Sequence, residues 1–400
     1  MTAVPPTTSN NEVETESLAS LLESRLFKPI NIGNITLQHR IAMSPLSRYR
    51  ATDDHVPQTC SQNYYSQRAS VPGTLLISEA TFIAPEHGGF ANVPGIYNQE
   101  QITAWRSITD AVHVKGGYIF CQLWALGRGA SPEVAEKEGI VFRSSSDIPL
   151  DSAHPKPKPL SISEIHEAAQ TYAQAAKNAI EAGFDGVELH GANGFLIDQF
   201  IQDRCNQRTD IYGGSIDNRS RFVVEIVQAV CDAIGPERTG IRFSPWSTYN
   251  NMRMEDPIFQ FTDVIKRLKP FNLAYLHLVE SRISGVEDVE STDKLTFAID
   301  IWDGPLLLAG GYTPETALRL VDHEYPTKDI VVSFGRYFLS TPDLPFRIQK
   351  GLELNKYNRQ TFYTPTAEGY TDYPFSEQFL KYIKGGEIAR KSGQMQPNCD

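Results

Sequence analysis

Polar residues and glycines recur at the ends of short apolar runs along this chain, and their types are those that hold a phosphorylated ligand. Ser47, Ala80, Gln122, Trp124, His190, Asn193, Arg242, Gly310, Gly311, Gly335 and Arg336 each lie within or just after such a run. They form a polar set with a cation at Arg242 and glycines grouped at the last two runs. AGGYTPE (309–315) and SFGRYF (333–338) place small residues where backbone N–H groups must approach a ligand closely. The Arg336 side chain can add charge-assisted, bidentate contacts to a phosphate. Taken singly, either glycine site is explained equally well as an ordinary loop. Their coincidence at adjacent runs points to a phosphate. His190 alone decides nothing, because a histidine at a strand end is more often a satisfied structural residue.

Eight runs carry these residues: 41–46, 74–83, 118–124, 186–191, 240–245, 274–280, 305–311 and 329–335. They are continuous and rich in β-branched residues, as strands covered on both faces require. Amphipathic stretches separate them. Residues 161–184 open with a capping-box pattern, Ser161 three before Glu164, and end near Gly183. A second helical stretch spans 216–234. Strand–helix alternation repeated eight times predicts a single (β/α)8 barrel of the TIM type. The rival, a doubly wound sheet, would normally carry a GxGxxG turn after its first strand, and IAMSPLSRYR has none. Active sites of such barrels lie at the C-terminal ends of the strands, where the polar set falls. The Pro- and Ser-rich stretch from about 131 to 160 reads as an excursion after strand 3 that caps one barrel end. The expected organisation is a flexible extension over 1–22, a barrel over 23–375 and a C-terminal helix or tail over 376–400.

Composition narrows the function classes. With 37 Lys and Arg against 48 Asp and Glu, the net charge of -11 argues against a general nucleic-acid or anionic-membrane surface. The five cysteines form no CxxC pair, so neither a zinc pattern nor a disulfide framework is read, and no metal site is expected. The first residues, MTAVPPTTSNNEVETES, lack the basic and apolar regions of a secretory signal, and no apolar run reaches membrane-span length. A cytoplasmic enzyme, monomeric or homodimeric, is the expectation.

The motifs SPLSRYRA (44–51), YYSQRA (64–69), QLWALGR (122–128) and HGANGFLIDQFIQDRCNQRTDIYGGSIDNRSRF (190–222) resemble, in order, those of the Old Yellow Enzyme family. LAGGY and FGRYFLSTPDLPFR continue the match, which runs from about Leu26 to Tyr373. The resemblance implies an FMN-dependent ene-reductase, with FMN held non-covalently and NADPH as hydride donor. The implied substrate is a small enone or enal. Pro45, Leu46, Ser47 and Ala80 would line the isoalloxazine, with serine standing where relatives usually have threonine. Gln122 would bond the pyrimidine edge, and Arg242 would face the N1–C2=O side, where reduced flavin carries negative charge. Gly310, Gly311, Gly335 and Arg336 would hold the phosphate. His190 and Asn193 match the pair that donates to the substrate's carbonyl oxygen, stabilising charge as hydride attacks the conjugated β-carbon. Phe90, Trp124, Tyr249 and Tyr363 would line the substrate pocket.

Two departures stand out. Phe195, five residues after His190, occupies the position where the family usually carries the tyrosine acid that protonates the substrate α-carbon. Phe90 likewise replaces a common pocket tyrosine. The resemblance therefore leaves two outcomes open: net reduction with water or another group as acid, or net isomerisation, in which hydride is lent and returned as in the ergot-alkaloid branch. A flavin-free phosphosugar-type isomerase or aldolase would need a Lys or Glu base at a strand end. The best strand carboxylate, Glu188, is expected one residue off the ligand-facing positions. A non-enzymatic flavin-binding module would not need His190 and Asn193 to converge.

Overall fold

The computed structural model describes residue 21 and residues 23–393, apart from 285, 286, 289, 290 and 292. Most of the expected N-terminal extension, and residues 394–400 of the expected tail, lie outside these.

All eight apolar runs form parallel strands: β1 (Ile41–Met43), β2 (Leu75–Ile77), β3 (Tyr118–Trp124), β4 (Gly186–His190), β5 (Thr239–Phe243), β6 (Tyr275–Val279), β7 (Leu306–Ala309) and β8 (Ile330–Phe334). Each pairs with the next, and β8 pairs with β1 through Val332↔Ile41, which closes the barrel. Helices α1 (Thr59–Arg68), α2 (Gln99–His113), α3 (Ile162–Glu181), α4 (Ile216–Ile234), α5 (Pro257–Leu268), α6 (Thr296–Ile301), α7 (Pro314–Arg319) and α8 (Leu344–Gln349) follow the strands in turn. The fold is a (β/α)8 barrel. Ser161 and Glu164 make the expected capping box at the start of α3, and Gly183 follows its end with φ +86°.

Period-two alternation divides the strand residues. Cys121, Leu123, Val187, Leu189, Ile241, Leu276, Leu278, Leu306 and Leu308 point outward and pack against the helices in the main core. Inside, Ala42, Leu75, Ile77, Phe120, Tyr275, Leu307 and Val331 form a second apolar cluster. Glycine at 240 makes room for it, since a Cβ there would sit 2.4 Å from Tyr275 Cζ. The same cluster takes in Ile30, Ile32, Ile35 and Leu37 of an antiparallel hairpin, Ile30–Ile32 with Ile35–Leu37. This hairpin, not anticipated from the sequence, plugs the interior end opposite the cavity described below.

One strand expectation needs correction. The run 74–83 is not one strand: β2 ends at Ile77, and Thr81–Phe82 pairs separately with the far half of β3. At the break the Ser78 amide still donates to the Phe120 carbonyl of β3 (2.9 Å), but the Gln122 amide is taken by the Ser78 Oγ (3.0 Å) in place of a backbone carbonyl. The chain then bulges so that Ala80 faces the cavity.

The stretch after β3 does cap the barrel. It contains the short helix Pro132–Glu138 and a two-residue pairing of Arg143–Ser144 with Lys158–Pro159. Buried Arg128 ties it down, donating to the carbonyls of Ile148, Pro149 and Asn250. The expected C-terminal helix is present as Glu377–Gly393.

Candidate active site

At the C-terminal ends of the strands lies a cavity of about 680 Å³. Every residue singled out above as a site candidate lines it. The phosphate candidates are at one end, the aromatic residues and His190–Asn193 are at the other, and Gln122 and Arg242 come from the barrel interior between them. Residues from strands far apart in sequence meet here because they occupy equivalent rungs: Arg242 is in register with both His190 and His277, and Gln122 with Glu188.

His190 ends β4 pointing inward, buried to 4 % exposure. Burial, then the neighbouring Arg242 and His277, hold its pKa well below the usual histidine range, so the ring is neutral at pH 7. Its Nδ1 accepts from the Ala192 amide (3.4 Å), a long bond that favours the tautomer with the proton on Nε2. Asn193 sits at φ +60°, a conformation that asparagine tolerates better than most residues. It is pinned there by its amide donating to Ser244 Oγ (2.8 Å) and its carbonyl accepting from Asn250 Nδ2 (2.9 Å). Gly194, at φ +73°, donates to the Asp198 carboxyl (2.8 Å). The turn is therefore held from three sides, and the two polar side chains share the cavity wall.

Phe195 is 6 % exposed and meets Trp124 and His190 edge-on, with centroids 4.7 and 5.1 Å away. Trp124 in turn stacks near His190 at 6.0 Å and packs on Phe90 at 5.7 Å. The wall continues through Tyr49 to Tyr363 at 5.5 Å, and Tyr249 faces the same space from the turn after β5. Tyr49 was not singled out from the sequence. Burial, with Tyr249 and Tyr363 nearby, pushes its hydroxyl up to about 12.

At the phosphate end, Gly310 has φ +119°, and a Cβ there would lie 2.8 Å from Glu280 Cβ. Backbone and packing alone therefore demand that glycine. At Gly335 a Cβ would meet nothing of the protein closer than Leu46 at 3.5 Å, so the fold does not require a glycine there. Arg336 donates through both Nη atoms to the Asp288 carboxylate (2.7 and 2.6 Å), which Arg359 also contacts (3.1 Å). A carboxylate thus lies in the fork of the arginine expected to hold a phosphate. Ser47, Pro45, Leu46 and Ala80 line the wall between these ends, and Gly311, at φ +69°, completes the turn after β7.

The placing of Glu188 requires a correction. It is two residues before His190, hence on the same inward face, one rung deeper and fully buried rather than one residue off. Its Oε1 accepts from Gln122 Nε2 (2.8 Å) and its Oε2 is paired with His277 Nδ1 (2.8 Å). Burial alone would raise its pKa, but His277, Arg242 and the Gln122 bond hold it below the usual carboxylate range. Burial, with Arg242 adding to it, outweighs the pull of Glu188 and keeps His277 low, so the charged groups here are Glu188 and Arg242, which attract each other through space. Arg242 Nε and His277 Nε2, both out of reach of solvent, have no partner among the described residues. Counting back by two from His190, and inward along LHLVE, would have found both Glu188 and His277. Among the described residues no three His, Cys, Asp or Glu side chains gather as a metal site, and no helix is long and apolar enough to cross a membrane.

Residues 25–355 match the model of the NADH:flavin oxidoreductase / NADH oxidase family. The chain is 53 % identical over 367 residues to chanoclavine-I aldehyde reductase fgaOx3 of Penicillium roqueforti, covering 90 % of this chain and 99 % of that one. It is 49 % identical to the NADP-dependent oxidoreductase lnbE of Aspergillus flavus, covering 90 % and 98 %. The crystal structure of Old Yellow Enzyme from Pichia sp. AKU4542 superimposes with a TM-score of 0.84 at 36 % identity, covering 89 % of this chain and 95 % of that one. A cavity at the strand ends, an arginine deep in the barrel and a histidine–asparagine turn thus sit on a frame shared with a flavoenzyme: the chain belongs to the NADH:flavin oxidoreductase / NADH oxidase family, that of Old Yellow Enzyme.

Proposed function

We propose that the protein is an FMN-dependent ene-reductase, re-reduced by NADPH, that acts on the C=C bond of α,β-unsaturated aldehydes or ketones in fungal secondary metabolism. The observation that carries this reading is the neutral His190, its Nδ1 engaged by a backbone amide and its Nε2–H left to donate beside Asn193. Two neutral donors on one carbonyl oxygen stabilise enolate-like charge without giving up a proton.

The chain's groups fit FMN. Arg242 Nε is a buried donor in want of an acceptor, and the cation beside it suits the electron-rich N1–C2=O edge. Pro45, Leu46, Ser47 and Ala80 would hold the ring, with Gln122 on its pyrimidine edge. Gly310, Gly311, Gly335 and Arg336 would hold the phosphate, with Arg336 exchanging the Asp288 carboxylate for it. When bound, FMN supplies the two-electron chemistry that moves hydride from the nicotinamide to the substrate's β-carbon. His190 and Asn193 orient the substrate by its oxygen, and Trp124, Phe90, Phe195, Tyr249 and Tyr363 exclude water around its carbon skeleton. The relative named for chanoclavine-I aldehyde favours an aldehyde as the carbonyl partner, and the NADP-dependent relative favours NADPH. Free thiols at Cys60, Cys121, Cys205 and Cys231 suit a cytoplasmic location.

Phe195 favours a second outcome at the same site. Its ring offers no proton to the α-carbon, so the polarised substrate can return its hydride and leave isomerised. Family membership sets aside a flavin-free isomerase or aldolase, and Glu188 is committed beneath the cavity rather than facing it. Anaerobic turnover of enone and enal panels tests the proposal, with NADPH consumption and product structure measured together. One NADPH per saturated product is expected for reduction and none for isomerisation. Purified protein without flavin absorbance near 450 nm would overturn both.

A further inference from the structure

At the floor of the cavity, four polar side chains occupy two adjacent rungs of the barrel interior, Gln122 and Arg242 lining it and Glu188 and His277 beneath. Gln122 is in register with Glu188, and Arg242 with His277. Glu188 is in contact with two of them, and its carboxylate is an acceptor only. Whatever faces it must donate, so the amide of Gln122 has one orientation available: Nε2 toward Glu188 (2.8 Å) and Oε1 away from it. The same holds for His277, whose Nδ1 must carry the proton it gives to Glu188 Oε2 (2.8 Å). Above them, Gln122 therefore presents an acceptor and Arg242 presents donors. An acceptor beside a cation is complementary to an imide edge, whose N–H needs the one and whose carbonyl needs the other.

Charge is set by the same residue. The Arg242 guanidinium is the cation of this interior, and Glu188 is the carboxylate that balances it. His277 is kept neutral by burial and by Arg242, so it adds no charge.

We propose that Glu188 is a positioning residue of the cofactor site, fixing the acceptor–donor order that Gln122 and Arg242 offer to an imide edge and offsetting the charge of Arg242. The proposal rests on the FMN reading above. It makes Glu188 a brake on how strongly the site favours negative charge at that edge. Replacing the carboxylate by an amide leaves Arg242 uncompensated. It also lets Gln122 turn over, because an amide in place of the carboxylate can both donate and accept.

The test uses FMN-loaded protein and the isosteric variant Glu188→Gln. Sulfite donates its lone pair to flavin N5 and leaves negative charge on the N1–C2=O edge, so its affinity reads the charge facing that edge. Glu188→Gln is expected to bind sulfite about tenfold more tightly, with a more positive flavin reduction potential, at unchanged FMN stoichiometry. The orientation arm compares FMN with 3-methyl-FMN, which lacks the imide proton. Wild type should discriminate strongly against the methylated form, and the variant several-fold less. If Glu188→Gln does not yield folded protein, Glu188→Asp keeps the charge on a shorter arm and carries the orientation arm alone, again with reduced discrimination expected. Unchanged sulfite affinity and unchanged discrimination in a variant that binds FMN stoichiometrically would overturn the positioning role. A wild type that binds no FMN would instead overturn the proposed function.

Discussion

Phe195→Tyr is the substitution on which the chemical outcome turns. It adds one hydroxyl to a ring whose plane is already fixed by edge contacts with Trp124 at 4.7 Å and His190 at 5.1 Å. Aromatic pairs of this kind contribute about 0.5–1.5 kcal/mol each beyond area burial, and both survive the change. Since the ring borders the cavity, the new hydroxyl has water or substrate to meet, and stability should move by less than about 1 kcal/mol. Kinetically the change is large. A positioned acid contributes about 10²–10⁴ over an unpositioned one, which lowers the barrier to α-carbon protonation by about 2.7–5.4 kcal/mol. Hydride delivery is expected to change little, because it depends on His190 and Asn193. The variant should therefore shift product toward simple saturation and raise NADPH consumed per substrate converted. Turnover in D2O reads the same step: deuterium should enter the α-carbon with weak facial preference in wild type and strict preference in Phe195→Tyr. The reasoning fails if wild type already shows strict anti addition and the tyrosine variant is no faster. Another hydroxyl would then be the acid. Tyr363, or Tyr49, whose raised pKa keeps its proton in place, would be tested by replacement with phenylalanine.

His190→Ala and Asn193→Ala should each slow flavin oxidation by an enone about 10²–10³-fold while sparing reduction by NADPH. Equal loss in both half-reactions of rapid-mixing experiments would refute the donor role. Arg242→Ala and Arg336→Ala should weaken FMN retention by about 2 kcal/mol or more, read as flavin occupancy after dialysis. Asp288→Asn, which empties the Arg336 fork of its carboxylate, should instead speed FMN association by the apoprotein; an unchanged rate would show that the ion pair does not compete. Acid stability should reflect His39, buried and held neutral at about 4 by desolvation, with Nδ1 accepting from the Ile41 amide. Its folded pKa lies below the unfolded 6.5, so its contribution is complete above pH 6.5 and is lost as pH falls toward 4. The loss is at most about 3.4 kcal/mol. His39→Gln should flatten urea stability across that window, and parallel curves for variant and wild type would refute the assignment.

The barrel was legible because each strand is covered on both faces and so reads as an unbroken apolar run, with chemistry placed just beyond its end. The break within 74–83 was not, because there the Ser78 side chain, rather than a backbone carbonyl, accepts from the Gln122 amide of β3, which no local pattern announces. Glu188 was misplaced by treating a carboxylate in an apolar strand as off the interior face, although parity with His190 fixes it inward. His277 was passed over because one histidine in LHLVE carries no signal until the register with Arg242 is known. Asp288 reaches Arg336 across 48 residues of chain, and Tyr49 joins the aromatic wall from a left-handed backbone position (φ +52°). Such meetings depend on tertiary geometry, whereas the glycine and arginine candidates followed from residue type and place in the fold.

The hairpin that closes the lower barrel makes the interior a dead end. Ile30, Ile32, Ile35 and Leu37, packed against Phe120, Tyr275, Leu307 and Val331, fill that end with apolar side chains, and traffic is expected through the mouth at the strand ends. Under the proposed function, nicotinamide and enone must then wait on each other at a single door. On the same reading, each half-reaction ends only when its product leaves by the way it came. Excess of either reactant blocks the other, and the two should behave as mutual competitors in steady-state turnover.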